Sequence, residues 1–511
     1  MKILDCTLRD GGYYTSWDFD QNLVNTYFES LNNLPIDYLE IGYRSLPMKE
    51  YLGEYFYLPI HVIEKIKLQS NKKLVVILNE KDVTTAQLPQ LLTPLVGLIA
   101  MVRLAIDPKN LKRALLLAES VKKLGFEVGF NVMYMSTWAE EKGFIEELKM
   151  VDGIADYFYM VDSFGGVYPK DVINTIQIVR EKTNVPLGFH GHNNMELGLI
   201  NTLTALEHGV EIVDATITGM GRGAGNLKTE LLLTVLNAKG ELPLDFNPLG
   251  VVVDGFTDLQ KQHEWGTNLP YMVSGANSLP QKDVMEWVSK RFYSFNSIIR
   301  ALENQKNGLQ DNKRFELFNP KKKFEKVILI GGGTSSVNLS DSIKKLLWKE
   351  TDICLVHASS RNAIQYKDLN VDQFYCLVGN EGNRMIKVFE DLGNFSGICV
   401  LPPYPRKMGT FVPSEVESKS YELRDIEYTS KIKDSHTALA LQICIDLGAK
   451  EVMIVGYDGY SGGSVGTKEQ ELLAENEMLF QAAQDFGLKL TSLSQTKYKS
   501  IQTDSIYSKL I

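Results

Sequence analysis

Short runs of apolar, β-branched residues recur through the first half of this chain at intervals of about thirty residues, and a helical pattern follows each one. No other feature restricts the fold as much. The runs are Lys2–Cys6, Tyr38–Gly42, Lys73–Leu78, Leu98–Leu104, Glu127–Met133, Tyr157–Val161, Leu187–His190 and Ile212–Ile217. Strands alternating with helices predict βα units and parallel pairing. The intervening segments carry helical spacing, as in Leu111, Ala114, Leu115, Ala118 and Val121, which share one face at 3.6 residues per turn. About eight such units are what a TIM (β/α)8 barrel needs for closure; an open doubly wound α/β sheet has the same alternation and is the alternative.

A chain of 511 residues is too long for one ordinary core. The alternation stops near residue 246, so the barrel is expected over 1–245. A helical extension and linker follow over 246–320, with aromatics such as Trp265, Trp287, Phe292 and Tyr293 expected to pack a core. Beyond Pro320-Lys321-Lys322-Lys323, itself read as a solvated linker, a second α/β pattern predicts a Rossmann-like domain over 321–511. A net charge of −9 supplies no electrostatic footprint for nucleic acid or an anionic membrane. The five cysteines are odd in number and lack CxxC spacing, which argues against a disulfide framework or zinc knuckle. With no signal-peptide core and no apolar run of bilayer length, a reducing cytoplasm is the expected compartment.

In a barrel, polar residues at the carboxyl ends of strands form the active site. Arg9, Asp10, Glu40, Arg44, Asn79, Arg103, Asn131, Asp162, Ser163, His190 and His192 all fall near such ends. His190 and His192 are two apart, so on a strand both rings leave the same face with Cα atoms about 7 Å apart. Strand one closes on strand eight, which neighbours strand seven, and this brings Asp10 to the histidine pair. Two imidazoles and one carboxylate suit Mn²⁺, Mg²⁺, Co²⁺, Fe²⁺ or Zn²⁺ and leave positions open for substrate. Such an ion would act as a Lewis acid on a bound substrate, with Arg9 set against the developing charge; a buried structural ion pair is the other reading of Arg9.

Thr7-Leu8-Arg9-Asp10-Gly11, His190-Gly191-His192 and Gly219-Met220-Gly221-Arg222-Gly223-Ala224-Gly225-Asn226 occur in this order. Together they resemble the DRE-TIM metallolyase (HMGL-like) superfamily, most nearly its 4-hydroxy-2-oxovalerate aldolase-type branch, over roughly residues 1 to 300. The resemblance implies a metal-dependent carbon–carbon lyase that joins or releases a pyruvate-like 2-oxo acid and an aldehyde, with Mn²⁺ the first expectation. Arg9 and Tyr13 would be catalytic. Arg9, Asp10, Ser163 and His190 would contact substrate, Ser163 at the substrate carboxylate. Asp10, His190 and His192 would bind metal, and Asn226 occupies a position that is a ligand in some branches. The aldolase branch has a histidine where this chain has Tyr13; a phenol of ordinary pKa near 10 is a poorer base at neutral pH. That departure leaves the second acid/base open among Tyr13, Tyr14, Tyr43 and metal-bound water. A homo-oligomer is expected. An acyl-CoA-dependent condensing enzyme of the isopropylmalate or citramalate synthase kind and a non-catalytic metal-binding module are the alternatives.

In the second domain, Gly331-Gly332-Gly333-Thr334-Ser335-Ser336 follows a strand and can offer backbone N–H groups to a phosphate, although it is neither a GxGxxG motif nor a P-loop. The later stretches Ser435-His436-Thr437 and Val455-Gly456-Tyr457-Asp458-Gly459 resemble the Rossmann-like domain of motility-accessory-factor and bacterial sialyltransferase-type proteins; a degenerate domain that only assembles or regulates is the alternative. The resemblance implies a nucleotide or nucleotide-sugar site near Gly332, Gly333, His436 and Asp458, and a role for the whole protein in making a sugar acid for a surface glycan.

Overall fold

All eight apolar runs of the first half become strands of one closed parallel barrel in a computed structural model of the protein, which describes every residue except 50, 290–294, 309–312, 351, 407–409 and 461–466. They are β1 (Lys2–Asp5), β2 (Tyr38–Tyr43), β3 (Lys73–Asn79), β4 (Met101–Ile106), β5 (Glu127–Val132), β6 (Tyr157–Asp162), β7 (Leu187–Gly191) and β8 (Ile212–Ala215). The fourth strand starts later than the Leu98–Leu104 run suggests. The amides of Leu98 and Ile99 both donate to the Leu95 carbonyl, which holds that part of the run in a turn. Closure is made by β1 against β8, with Lys2 opposite Ile212 and Asp5 opposite Ala215.

The strands are buried on both faces, which is why they read as nearly continuous apolar runs. On β6 the alternation is plain. Tyr157, Tyr159 and Val161 join Leu4, Val75, Met101 and Ile212 inside the barrel, whereas Phe158 and Met160 pack outward with helix residues such as Ala114 and Val121. Each such large side chain contributes roughly 1.5–3 kcal/mol by leaving water.

The chain divides into two compact units, Met1–Glu286 and Trp287–Ile511. Of the segment expected to be extension and linker, helices Phe246–His263 and Leu269–Ala276 fall in the first unit and Phe295–Lys306 in the second. Phe292 and Tyr293 lie outside the described residues.

The second unit is built on an eight-stranded parallel sheet of β9 (Lys326–Ile330), β10 (Ile353–His357), β11 (Gln373–Cys376), β12 (Ile398–Leu401), β13 (Ser420–Glu422), β14 (Glu451–Val455), β15 (Lys489–Ser492) and β16 (Gln502–Thr503). Their order is β13-β12-β11-β10-β9-β14-β15-β16. Alternate residues feed two cores: Val327 and Leu329 face one side, Ile328 and Ile330 the other. Chain direction across the sheet reverses between β9 and β14, the place where sheets of this kind open a crevice at their carboxyl edge. All five cysteines are buried and unpaired. No helix among the described residues is long and apolar enough to cross a membrane.

Candidate active site

Directly after β1 the chain turns into α1 (Thr7–Thr15), so Arg9 and Asp10 sit in its first turn above the barrel mouth. Asp5 secures this turn. Its Oδ1 accepts from the Thr7 amide at 3.0 Å, the Thr7 hydroxyl at 2.6 Å and the Tyr27 hydroxyl at 2.7 Å, and its Oδ2 accepts from the Thr229 hydroxyl at 2.6 Å. The indole of Trp17 donates to the Arg9 carbonyl at 2.9 Å. A Cβ on Gly12 would lie 2.2 Å from that same ring, so the Gly-Gly pair lets the helix settle onto Trp17.

Asp10 Oδ2 and His190 Nε2 are 3.7 Å apart. This is too long for a hydrogen bond and close to the spacing of two ligands bound at about 2.1 Å to one ion. The other nitrogen of His190, Nδ1, is tied to Asp214 at 2.8 Å, and His192 Nδ1 donates to the Asp162 carbonyl at 2.7 Å. The His192 tautomer is thereby set with Nε2 unprotonated, the form that ligates a metal, and Asp214 holds His190 through Nδ1 so that its Nε2 faces Asp10. Burial first, and then the nearby His190, push the His192 pKa down to about 3, which keeps its ring neutral. Burial works against charge on Asp10, but Arg9, His190 and His192 outweigh it and hold the carboxyl below its ordinary value. Asn226 donates to Asp10 Oδ2 at 2.6 Å, while its own Oδ1 is buried with no partner. An orphaned acceptor beside a carboxylate and two imidazoles bonded only through Nδ1 fits a divalent cation.

Cys6, His190 and Asp214 are a second group to consider, with ligand atoms within 4.8 Å of one another. That group is less suited to an ion. Burial pushes the Cys6 thiol well up, so it stays protonated, and Asp214 Oδ2 already accepts from His190 and, at 2.6 Å, from Arg103.

Beneath the mouth lies a closed charge network that holds these groups in place. Arg103 is completely buried; besides Asp214 it reaches Asn131 Oδ1 at 2.6 Å and Glu40 Oε1 at 3.2 Å. Glu40 Oε2 in turn accepts from Arg9 Nε at 2.7 Å, and Arg9 Nη1 contacts Asp10. Asn131 lies near the end of β5, whereas Glu40 and Arg103, expected at strand ends, lie in the middle of β2 and β4, so the three form one scaffold under the site. Asp214 was not singled out in the sequence, because a lone acid inside Ile212-Val213-Asp214-Ala215 reveals its partners only after the barrel closes.

A cavity of about 600 Å³ opens above. Arg9, Asp10, Tyr13, Ser163, His190 and His192 all line it, whereas Asn226 stands behind Asp10 outside the lining. The Tyr13 and Tyr43 hydroxyls are 3.1 Å apart; burial and then Tyr13 push the Tyr43 phenol well up. Tyr14 points elsewhere, donating to the Gly223 carbonyl at 2.8 Å. Ser163 Oγ accepts from the Tyr134 amide at 2.8 Å, so its own hydrogen remains available. Asp162, raised to about 6 by burial, accepts from the amides of Gly166 and Val167 and shapes that turn. Arg222, a lining residue on the glycine-rich loop, was also missed: one cation among glycines carries no pattern.

In the second unit, Gly332, Gly333 and Asp458 come together at the β9–β14 crevice, but Asp458 occupies the helix start. Its Oδ2 accepts from the Ser335 amide at 3.0 Å and the Thr334 hydroxyl at 3.2 Å, and a Cβ on Gly333 would lie 2.7 Å from it. A carboxylate therefore stands where a phosphate would bind. His436 belongs to a different group: its Nε2 is 3.5 Å from Glu381, beside a cavity of about 200 Å³ that Asn380, Glu381, Arg384 and His436 help to line. Glu381 accepts from the Ser360 amide at 3.0 Å and hydroxyl at 2.8 Å and pairs with Arg384.

A family model described as HMGL-like matches residues 1–264. The 4-hydroxy-2-oxovalerate aldolase of Geobacillus genomosp. 3 is 32% identical over 253 residues, covering 47% of this chain and 71% of that protein. The protein of the same description from Bacillus cereus (strain ATCC 10987 / NRS 248) is 28% identical over 274 residues, 51% of this chain and 76% of its own. Among solved structures, the N-terminal domain of a Bacteroides vulgatus protein, described provisionally as an aldolase, is 59% identical with a TM-score of 0.57, covering 59% of this chain and 100% of that one.

Proposed function

Because the chain belongs to the HMGL-like family and is an aldolase-type carbon–carbon lyase, we propose that it joins or splits a pyruvate-like 2-oxo acid and an aldehyde, using a divalent ion held by Asp10, His190 and His192. The observation that carries this is the 3.7 Å gap between Asp10 and His190, flanked by imidazoles whose far nitrogens are already bonded. A bound ion supplies Lewis acidity to the keto oxygen of the substrate. Mn²⁺ is our first choice on the family resemblance, and a carboxylate with two imidazoles would accept Mg²⁺, Co²⁺ or Zn²⁺ as well.

The chain's own groups then divide the work. Arg9, fixed between Glu40 and Asp10, faces the oxygen on which negative charge develops and stays cationic at any working pH. The Ser163 hydroxyl donates to the substrate carboxylate. Tyr13, backed by the Tyr43 hydroxyl, donates a proton to the alkoxide that forms when the new bond is made. The same side chain, as tyrosinate, would take that proton back when the bond is cleaved.

Deuterium exchange into the methyl group of pyruvate tests the proposal. It should appear with added Mn²⁺ and vanish in Asp10→Asn; its absence with all four metals would overturn the assignment. Thiol release from acetyl-CoA in the presence of a 2-oxo acid would instead favour an acyl-CoA-condensing enzyme.

For the second unit we propose a nucleotide or nucleotide-sugar site at the carboxyl edge of the sheet, supported by the clustering of Arg384, Glu381 and His436 beside a cavity. This would fit synthesis of a sugar acid for a surface glycan in the cytoplasm. Calorimetric titration of the full chain with nucleotides and nucleotide sugars, with His436→Ala as control, should show binding that the variant weakens; silence across the panel would overturn it.

A further inference from the structure

Arg222 has no part in the chemistry assigned above, yet it lines the same cavity. It sits half-buried on the loop after β8. That loop is held by Tyr14 donating to Gly223, by the Gly225 amide donating to the Arg222 carbonyl at 3.3 Å, and by the Asn193 amide donating to the Gly225 carbonyl at 2.8 Å. The guanidinium lies 5.7 Å from the centre of the Tyr13 ring. Among the described residues it has no carboxylate partner. Two other cations of the cavity differ: Arg9 is compensated by Glu40 and Asp10, and Lys109 pairs with Glu141 at 3.2 Å. A half-buried guanidinium on a held loop, without a counter-ion among the described residues, favours an anion in the cavity.

The cavity also has room for one. Its volume of about 600 Å³ lies in the range that encloses drug-sized ligands, far beyond what pyruvate and a two-carbon aldehyde fill. Lys81, which follows β3 and also lines the cavity, is a second cation without a carboxylate partner among the described residues.

Resting on the aldolase reading, we infer that the acceptor is an anionic aldehyde, whose phosphate or carboxylate is taken by Arg222 while its carbonyl lies beside Tyr13. The closeness of Arg222 to Tyr13 ties charge recognition to the group that protonates the product. The step balances without a further reactant: a carbon–carbon bond forms between the pyruvate methyl carbon and the aldehyde carbon as the aldehyde's C=O π bond opens, the methyl proton passes to water, and the new alkoxide takes a proton from Tyr13, which regains one from water.

The full chain with Mn²⁺ and pyruvate would be assayed on two matched acceptor pairs, glyceraldehyde 3-phosphate against glyceraldehyde and succinic semialdehyde against butanal. The wild-type protein should favour the anionic member of at least one pair in kcat/KM by about 10- to 100-fold, the range of a charge-assisted hydrogen-bonded pair; the pair that shows it identifies phosphate or carboxylate. Arg222→Gln should bring that ratio close to one, and Arg222→Lys should restore part of it. Equal use of both members of each pair, or a preference that survives Arg222→Gln, overturns the inference while deuterium exchange into pyruvate still proceeds. Absence of that exchange in the wild-type protein is a different result, which removes the aldolase reading and the inference with it.

Discussion

Tyr13 separates the two halves of the proposed reaction. Removing a proton from pyruvate needs the metal ligands and Arg9, whereas protonating the product needs an acid near the acceptor. Tyr13→Phe should therefore lower aldol turnover by about 10²- to 10⁴-fold and leave methyl deuterium exchange largely intact; equal loss of both would deny Tyr13 that role. Asp214 acts from behind His190, fixing the ring through Nδ1. Asp214→Asn should weaken Mn²⁺ binding by about 10- to 100-fold in a titration followed by calorimetry. Glu381 makes a pH prediction. Burial alone would raise its pKa, but His436, Arg384 and the Ser360 amide outweigh this and hold it down to about 2. A depressed carboxyl stabilises the fold above its unfolded pKa of 4.5, and that contribution is lost as pH falls from 4.5 toward 2. Urea unfolding of Glu381→Gln should therefore differ most from wild type near pH 7 and converge with it near pH 2. At this scale the sequence disclosed the residues whose types are unusual for their surroundings, such as two histidines on one strand face. It concealed Asp214 and Arg222, whose meaning lies wholly in which side chains closure brings near.

At the scale of elements, the barrel strands were legible because each is apolar on both faces and long enough to carry a pattern. β13, β15 and β16 were not. They are Ser420–Glu422, Lys489–Ser492 and Gln502–Thr503, too short and too polar to stand out from turns, and they form only because a neighbouring strand offers free hydrogen-bonding groups. The docking of helix Leu269–Ala276 was equally hidden, since it depends on two glycines far apart in sequence. A Cβ on Gly166 would lie 2.1 Å from the Gly275 carbonyl oxygen, a backbone atom with no rotamer by which to move aside. Beside this contact Asn194 donates to the Tyr271 carbonyl at 3.0 Å and to Gln281 at 2.9 Å. Gly166→Ala should push the helix away and destabilise the first unit by about 1–3 kcal/mol, measured by urea unfolding; an unchanged midpoint would show that the helix is not held by this contact.

For the molecule as a whole, the two units have separate apolar cores and different candidate ligands. A ligand that binds only the folded form stabilises the unit that holds it, by about 2.7 kcal/mol at a concentration one hundred times its Kd. Scanning calorimetry with Mn²⁺ should therefore move the transition of the barrel unit upward and leave that of the second unit in place, and Asp10→Asn should abolish the shift. Equal movement of both would place the ion elsewhere. The seam where β1 meets β8 carries a consequence in time. Asp10 and Asn226 are 216 residues apart in the chain, and translation proceeds at roughly 5–20 residues per second. On the ribosome the first strand must wait some tens of seconds for the eighth, its edge unpaired on that side, while the finished site comes together in one late event rather than piece by piece.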